Sequence, residues 1–336
     1  MKVNMYPADK HGCGYYRMYL PAKYIQRKAK DIELKVIEEQ SHIDLLNNLD
    51  IMYLQRSACN ELFKHLLYAN KQGAMVLYDA DDDFFNVPLL NPSYNYYNNE
   101  IVKANIETYL KTANCITVST EYLKNEYKKY NKNVVVLPNS IDFEMWNEYY
   151  KQKKENKIVM IYPASPTHAE DIFEIVDVLI RVLKENPEVE LHSVNWNFTK
   201  ADIFDSVRNQ VKHIPGKTPF EFGSLLTHGS IGIAPLAYNK FNRSKSNIKF
   251  LEYSALGIPT AATDITPYEC IQEGITGFKI KKNDKNDWYC ALTELIRNVE
   301  MRKSIGKQAR DYVYENYNIE KNVDKWIEVF YTLLNK

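Results

Sequence analysis

Short apolar runs of strand length alternate with segments of helical period along nearly the whole chain, and the series runs twice. Strands separated by helices pair in parallel, because a parallel neighbour needs a long crossover and an amphipathic helix buries its apolar stripe on the sheet it crosses. In the first series, strands are predicted near Lys2 to Met5, Leu34 to Ile37, Ile51 to Leu54, Met75 to Tyr78, Cys115 to Val118 and Val134 to Leu137. Helices fill much of Tyr15 to Ala29, Glu61 to Lys71, Glu100 to Thr112 and Glu121 to Lys128. The second series has strands near Ile158 to Tyr162, Glu190 to Val194, Ile231 to Ala234 and Thr260 to Ala262. Helices lie between them and at Asp287 to Val299, followed by two helical segments from Met301 to Lys336. Between the series, Lys151 to Lys157 (KQKKENK) is charged and lacks an apolar period, which marks a domain boundary after residue 150. At 336 residues and 45% hydrophobic, the chain exceeds the size at which single cores usually divide. An α/β protein of two doubly wound domains is predicted, the first spanning residues 1–150.

Charge narrows the partners. With 43 basic and 43 acidic residues the formal net charge is zero, so no global attraction to nucleic acid or anionic lipid follows. Local patches at Lys151, Lys153 and Lys154 and at Lys23, Arg27, Lys28 and Lys30 are read as solvated faces. The five cysteines are odd in number, scattered and without a C-x-x-C pair, which fits free thiols in a reducing cytoplasm and argues against a zinc site. MKVNMYPADK lacks the apolar core of a signal peptide, and no run approaches the roughly 18 apolar residues of a membrane span. A soluble cytoplasmic protein is the expectation.

The densest chemistry lies between Tyr238 and Asp264 (YNKFNRSKSNIKFLEYSALGIPTAATD). Ile231 to Leu236 reads as a strand, Ala237 to Ser246 as a polar basic loop, and Asn247 to Leu256 as a helix closed by Gly257. A helix N-terminus offers unsatisfied N–H groups and a partial positive charge, so Lys245, Ser246, Asn247 and Lys249 around it make a seat for a phosphate or diphosphate. Glu252, three residues beyond Lys249, shares its face and is placed to accept from ribose hydroxyls. The same spacing also describes a solvated amphipathic helix with an ordinary Lys/Glu pair.

Gly12-Cys13-Gly14 follows a strand and precedes a helix, but Arg17 stands where a dinucleotide fingerprint needs its third glycine, and no P-loop is present. Gly12 and Gly14 are read as allowing close backbone approach to a phosphate or sugar, with Arg17 either adding charge or solvated. Asp79, Asp81, Asp82 and Asp83 follow a strand. They either cap the next turn or serve a hydroxyl substrate, with Asp81 and Asp82 the candidates for recognising or activating it. His168, at a helix entrance, is either structural or a donor to a phosphate oxygen, and Asp171 reads as a first-turn residue favoured by the helix dipole. The loop Asn86 to Asn99, rich in Asn, Pro and Tyr, is either an acceptor contact or a plain surface loop.

The run KSNIKFLEYSALGIPTAATD resembles the donor-binding segment of GT-B glycosyltransferases of family 4, in which a Glu on a helix ending A-x-G-x-P holds the ribose of a nucleotide sugar. HGCGYYRMYLP, LYDADDDFF, ITVSTEYLK, VLPNSIDFEMW and IYPASPTHAEDI resemble that family's other segments and occur in its order, so the resemblance covers nearly the whole chain. The family's pattern has a second Glu eight positions earlier, where this chain has Ser244, which points to a branch in which Lys245 and Lys249 do the electrostatic work.

The resemblance implies two Rossmann-like domains facing across a cleft. It places the donor domain at 151–317 and a helix at 318–336 that packs back on the first domain. It implies a retaining transfer of sugar from a nucleotide donor to a hydroxyl acceptor, without metal or other cofactor. Glu252 would hold the ribose and Lys245, Ser246 and Lys249 the leaving diphosphate, while Gly12 and Gly14 would cover the phosphates from the other domain. Gly216 and Lys217, in IPGKTPF, would offer backbone contacts to the base. The acceptor stays open among a glycan, a polymer, a lipid-linked sugar, a protein and a modified nucleobase, with DNA disfavoured by the zero net charge. An epimerase-like relative and a non-catalytic nucleotide-sugar-binding module are the other classes.

Overall fold

The computed structural model describes residues 1–38, 46–153 and 157–335, so residues 154–156 of the boundary segment and Lys336 lie outside the described residues. The first sheet is formed by β1 (Lys2–Tyr6), β2 (Glu33–Val36), β3 (Ile51–Gln55), β4 (Met75–Ala80), β5 (Cys115–Val118) and β6 (Val134–Val136). Its order is β2-β1-β3-β4-β5-β6, all parallel. The second is formed by β7 (Ile158–Ala164), β8 (Val189–Asn195), β9 (Val211–Ile214), β10 (Ile231–Ala234), β11 (Thr260–Thr263) and β12 (Gly277–Ile280), ordered β12-β11-β10-β7-β8-β9 and again parallel. Helices cover these sheets, so inner strands such as β3 and β5 are buried at every residue and read as unbroken apolar runs.

Two strands escaped the sequence reading, β9 (VKHI) and β12 (GFKI). Both are sheet edges, and their Lys212, His213 and Lys279 break the apolar run that identifies a buried strand. The stretch Ala237 to Ser246 is not a plain loop: it holds a helical turn, Lys240–Ser244, whose entrance is capped by Asn239 Oδ1 accepting from the Asn242 N–H at 2.7 Å. Five residues are too few to show a helical period. The following helix, Ile248–Ala255, ends as expected at Gly257, whose φ of +62° suits glycine. Ile258 N–H then bonds Tyr253 O at 2.9 Å and Gly257 N–H bonds Ser254 O at 2.8 Å, closing the last turn.

The C-terminal helix Asp324–Leu334 crosses back to the first sheet, burying Trp326 and Phe330 beneath it, with Phe330 edge-on to Tyr53 of β3. Lys28 and Tyr331 tie its flanks across the domains through Asp324 and Asp31. The patch Lys23, Arg27 and Lys28 is accordingly paired, with Asp142, Glu144 and Asp324.

In each sheet the strand order reverses once, between β1 and β3 and between β7 and β10. Loops leaving the carboxyl ends of such strand pairs diverge and leave a crevice, which is where open α/β sheets bind ligands. Here the two crevices face each other.

Candidate functional site

Between the sheets lies a cleft of about 210 Å³ whose wall combines Gly12, Cys13, Tyr16, Arg56, Asp81 and Asp82 from the first half with His168, Lys245, Ser246, Lys249 and Glu252 from the second. The halves meet directly. Tyr16 donates its hydroxyl to Glu252 Oε1 at 2.8 Å, Asn139 Nδ2 donates to Ser246 Oγ at 2.9 Å, and the Asp83 N–H donates to Ser244 Oγ at 3.1 Å.

The cationic wall is built from the second sheet. The helix Ile248–Ala255 begins at Asn247 with no side chain capping its N–H groups, and it presents Lys249 and Glu252 to the cleft one turn apart. Lys249 Nζ lies 3.1 Å from His168 Nε2, and His168 Nδ1 lies 2.7 Å from Asp171 Oδ2. An ammonium has only hydrogens to give, so Nε2 accepts and the imidazole proton sits on Nδ1, facing Asp171. Burial and the nearby Lys249 charge push His168 down to about 3, so it stays neutral. Burial also lowers Lys249, to about 8, with Lys245 reinforcing the shift. Glu252 is raised by burial to about 7, while the Tyr16 hydrogen bond and the Lys249 charge draw it back. Lys245 and Lys249 beside an uncharged imidazole therefore make a cationic patch on this wall.

Asp171 is more than the first-turn residue the sequence indicates. Its Oδ1 accepts from Ala237 N–H at 2.8 Å and from Asn242 Nδ2 at 2.6 Å, pinning the turn that carries Lys245. Burial, the largest single influence, would raise this carboxyl, but its contacts with His168, the Ala237 N–H and the Lys245 charge together outweigh it and hold it below the ordinary range.

On the opposite wall, Arg56 follows β3 at a φ of +51° and clamps the acidic run: Nε donates to Asp81, and Nη2 to Asp82 Oδ2 at 2.7 Å and Cys13 Sγ at 3.1 Å. Burial would raise Asp81, but Arg56 holds it down. Asp83 accepts from Phe85 N–H and Asn86 Nδ2, so it caps the turn. Asp79 belongs to the core, where it pairs through both oxygens with the buried Arg17 at 2.7 and 3.0 Å. Arg17 also donates to Leu137 O and Asn139, and its guanidinium lies over Trp326. It is neither a ligand-facing charge nor a solvated one; it ties β4, the loop after β6 and the C-terminal helix together.

The structure thus brings Gly12, Asp81, Asp82, His168, Lys245, Ser246, Lys249 and Glu252 to one wall or the other. The remaining candidates lie elsewhere. Gly14 is packed in the first helical turn, where a Cβ would fall 1.8 Å from Asp9 O, and Gly12 to Gly14 form the opening of the helix rather than a loop before it. Asn247 turns away, donating to Cys270 Sγ. Gly216 sits against the Asn195 side chain, and Lys217 faces Glu221 beside a segment whose Phe220 packs edge-on to Tyr15. Sequence reasoning missed Tyr16, Arg56 and Asn139. Arg56 and Asn139 each follow a strand end by one to three residues, which was the available signal. Among the described residues no three His, Cys, Asp or Glu side chains are grouped to hold a metal ion, and no helix is long and apolar enough to cross a membrane.

Two facing doubly wound domains, with the C-terminal helix returned to the first and a cationic seat at a helix entrance, define a GT-B transferase fold. Comparison with known proteins agrees. Residues 167–298 match the family described as glycosyl transferases group 1. N-acetyl-alpha-D-glucosaminyl L-malate synthase of Bacillus anthracis is 22% identical over 317 residues, covering 90% of this chain and 80% of that protein. A glycosyltransferase from Rickettsia africae superposes with a TM-score of 0.69 at 16% identity, over 99% of this chain and 98% of that one. Anabaena Alr3699/HepE, solved with UDP and glucose, superposes with a TM-score of 0.67 at 11% identity, over 99% of this chain and 100% of that one. The chain is a glycosyltransferase of GT-B fold, similar over residues 167–298 to the glycosyl transferases group 1.

Proposed function

We propose that the enzyme transfers a hexose, N-acetylglucosamine first among the candidates, from its uridine diphosphate to a hydroxyl acceptor with retention of configuration and without a metal ion. The pair Lys245 and Lys249, both lining the cleft at a helix entrance beside a neutral histidine, carries this reading. In it, the bond from the anomeric carbon to the diphosphate breaks, a bond from that carbon to the acceptor oxygen forms on the same face, and the acceptor proton leaves with the diphosphate. Lys245, Lys249, the Ser246 hydroxyl and the free N–H groups of the helix entrance neutralise the charge that builds on the leaving group, the role a cation would otherwise fill. Glu252, through the carboxylate oxygen that Tyr16 does not occupy, accepts from the ribose hydroxyls. Gly12 presents bare backbone to the phosphates, since no atom lies within 4 Å of where its Cβ would stand. Asp82, partly open to the cleft with one oxygen on Arg56, meets the acceptor hydroxyl. The name of the Bacillus relative, N-acetyl-alpha-D-glucosaminyl L-malate synthase, supports the sugar and an α product, and the HepE complex with UDP and glucose supports the uridine diphosphate.

The test is calorimetric titration with UDP-N-acetylglucosamine, UDP-glucose and GDP-mannose, followed by nucleotide release with and without EDTA. Release from one UDP-sugar, indifferent to EDTA and lowered roughly 100-fold in Glu252→Ala and Lys249→Ala proteins of unchanged circular dichroism, is the expected result. Wild-type turnover in either variant, or EDTA inhibition, would overturn the assignment.

A further inference from the structure

The segment 86–101, between the acidic wall of the cleft and the helix Glu100–Thr112, contains five Asn, three Tyr, one Glu and no Lys or Arg. Its aromatic rings form a continuous path outward from the cleft. The Arg56 guanidinium, which holds Asp82, lies 5.8 Å over the ring of Phe84. Phe84 is buried and stacks on Tyr97 at 5.2 Å and 16°, and Tyr96 stands edge-on to Tyr97 at 5.0 Å. Tyr96 is 54% exposed, the far end of a path whose near end is the cleft wall. A buried Phe supporting a stacked Tyr gives the outer ring a fixed footing, so its face is held without losing rotamer freedom on binding.

We propose that Tyr96, supported by Tyr97 and Phe84, is an acceptor subsite that stacks the pyranose ring of an oligosaccharide acceptor whose terminal hydroxyl reaches Asp82. This rests on the transferase reading above and names its acceptor class. A pyranose presents one face of C–H bonds to the negative face of an aromatic ring and hydroxyls at its rim to amides. Beside Tyr96 the exposed Asn95 offers an amide to such a rim, while Asn98 is held by Tyr94 and Lys103 and Asn99 caps the following helix. An open-chain polyol has no ring face to offer. Leu89, Leu90 and Ile101 are also exposed here. A membrane face would couple them to a cluster of cations that meet anionic headgroups; residues 86–101 carry no Lys or Arg, and the neighbouring Lys103 is engaged by Asn98 Oδ1 at 2.5 Å.

The experiment uses the full chain with maltotriose, cellotriose and chitotriose as probes and ribitol and glycerol as ringless controls. Binding is followed by saturation-transfer NMR and calorimetry without donor, and donor hydrolysis is measured separately. One triose is expected to bind, Tyr96→Phe to keep its affinity, and Tyr96→Ala to weaken it roughly tenfold. Donor hydrolysis should be equal in all three proteins, and the controls should not bind. Because Tyr96 is exposed, its truncation leaves the fold intact. No binding of any triose to wild type, or equal binding by Tyr96→Ala, overturns the subsite. So does sedimentation with phosphatidylglycerol vesicles that Leu89→Asp abolishes and Tyr96→Ala leaves unchanged, which would make the segment a membrane face. Failure of donor hydrolysis in the wild type would instead overturn the transferase reading, and triose binding still decides the subsite.

Discussion

Lys249→Gln separates the cost of the cationic pocket from its use. The amide still donates to His168 Nε2 in place of the ammonium, so no buried acceptor is orphaned, but the charge is gone. Burial and Lys245 lower Lys249 from 10.5 to about 8 in the folded protein. At 1.36 kcal/mol for each tenfold change in proton affinity, holding this lysine charged costs the fold up to about 3 kcal/mol at neutral pH. The sign follows from proton counting. Below pH 8 both folded and unfolded chains carry the proton and the cost is full. Between about 8 and 10.5 the unfolded chain binds more protons, so wild-type stability gains with pH, and above that window the cost is gone. Lys249→Gln should therefore be as stable as wild type or up to about 3 kcal/mol more stable in urea at pH 7, with the gap closing toward pH 10.5. Its affinity for UDP should fall roughly tenfold to 100-fold, the worth of a charge-assisted hydrogen bond of about 1.5–3 kcal/mol. A variant destabilised by more than about 1 kcal/mol at pH 7 that binds UDP as wild type does would refute the reasoning, since the lysine would then be a stabilising ion rather than a ligand-waiting one.

Tyr16→Phe removes the hydrogen bond that favours ionised Glu252, so the acid limb of donor hydrolysis, set near the raised value of about 7, should move to higher pH in a pH–rate profile. Arg17→Leu leaves the Asp79 carboxylate buried without its partner and should cost about 3–5 kcal/mol in urea denaturation. The two glycines of the first turn should behave oppositely. Gly14→Ala drives a methyl into Asp9 O and should lose at least about 1–3 kcal/mol by thermal denaturation, whereas Gly12→Ala meets no atom, keeps its Tm and weakens UDP binding in calorimetry.

The donor half of the site was legible because its chemistry is local. Lys245, Ser246, Lys249 and Glu252 fall within one strand, loop and helix unit, so spacing alone puts them at one helix entrance. The strands were legible where they are buried on both faces, and β9 and β12 were lost because edge strands expose lysines. Arg17, Arg56 and Asp171 were misread or missed for the opposite reason. Their partners Asp79, Asp81 and Ala237 lie 62, 25 and 66 residues away, and a charged residue in a sequence looks the same whether it meets water or a buried carboxylate.

Ser244 shows how far substitution at one position reshapes such a reading. In the sequence it looks like a missing carboxylate, an empty place in the donor site. In the structure its side chain is fully buried and does not face the cleft: Oγ donates to Phe241 O at 2.6 Å and accepts the Asp83 N–H of the other domain at 3.1 Å. A glutamate would be longer by two heavy atoms and would carry a charge into a contact that excludes water, so it could stay only by swinging toward the cleft or separating the domains. The serine instead joins the turn that bears Lys245 to the acidic wall that bears Asp82. The residue that departs from the pattern of the resembled family thus joins the two walls beside the Tyr16–Glu252 and Asn139–Ser246 contacts, and in the proposed mechanism the electrostatic work on the diphosphate is left to Lys245 and Lys249.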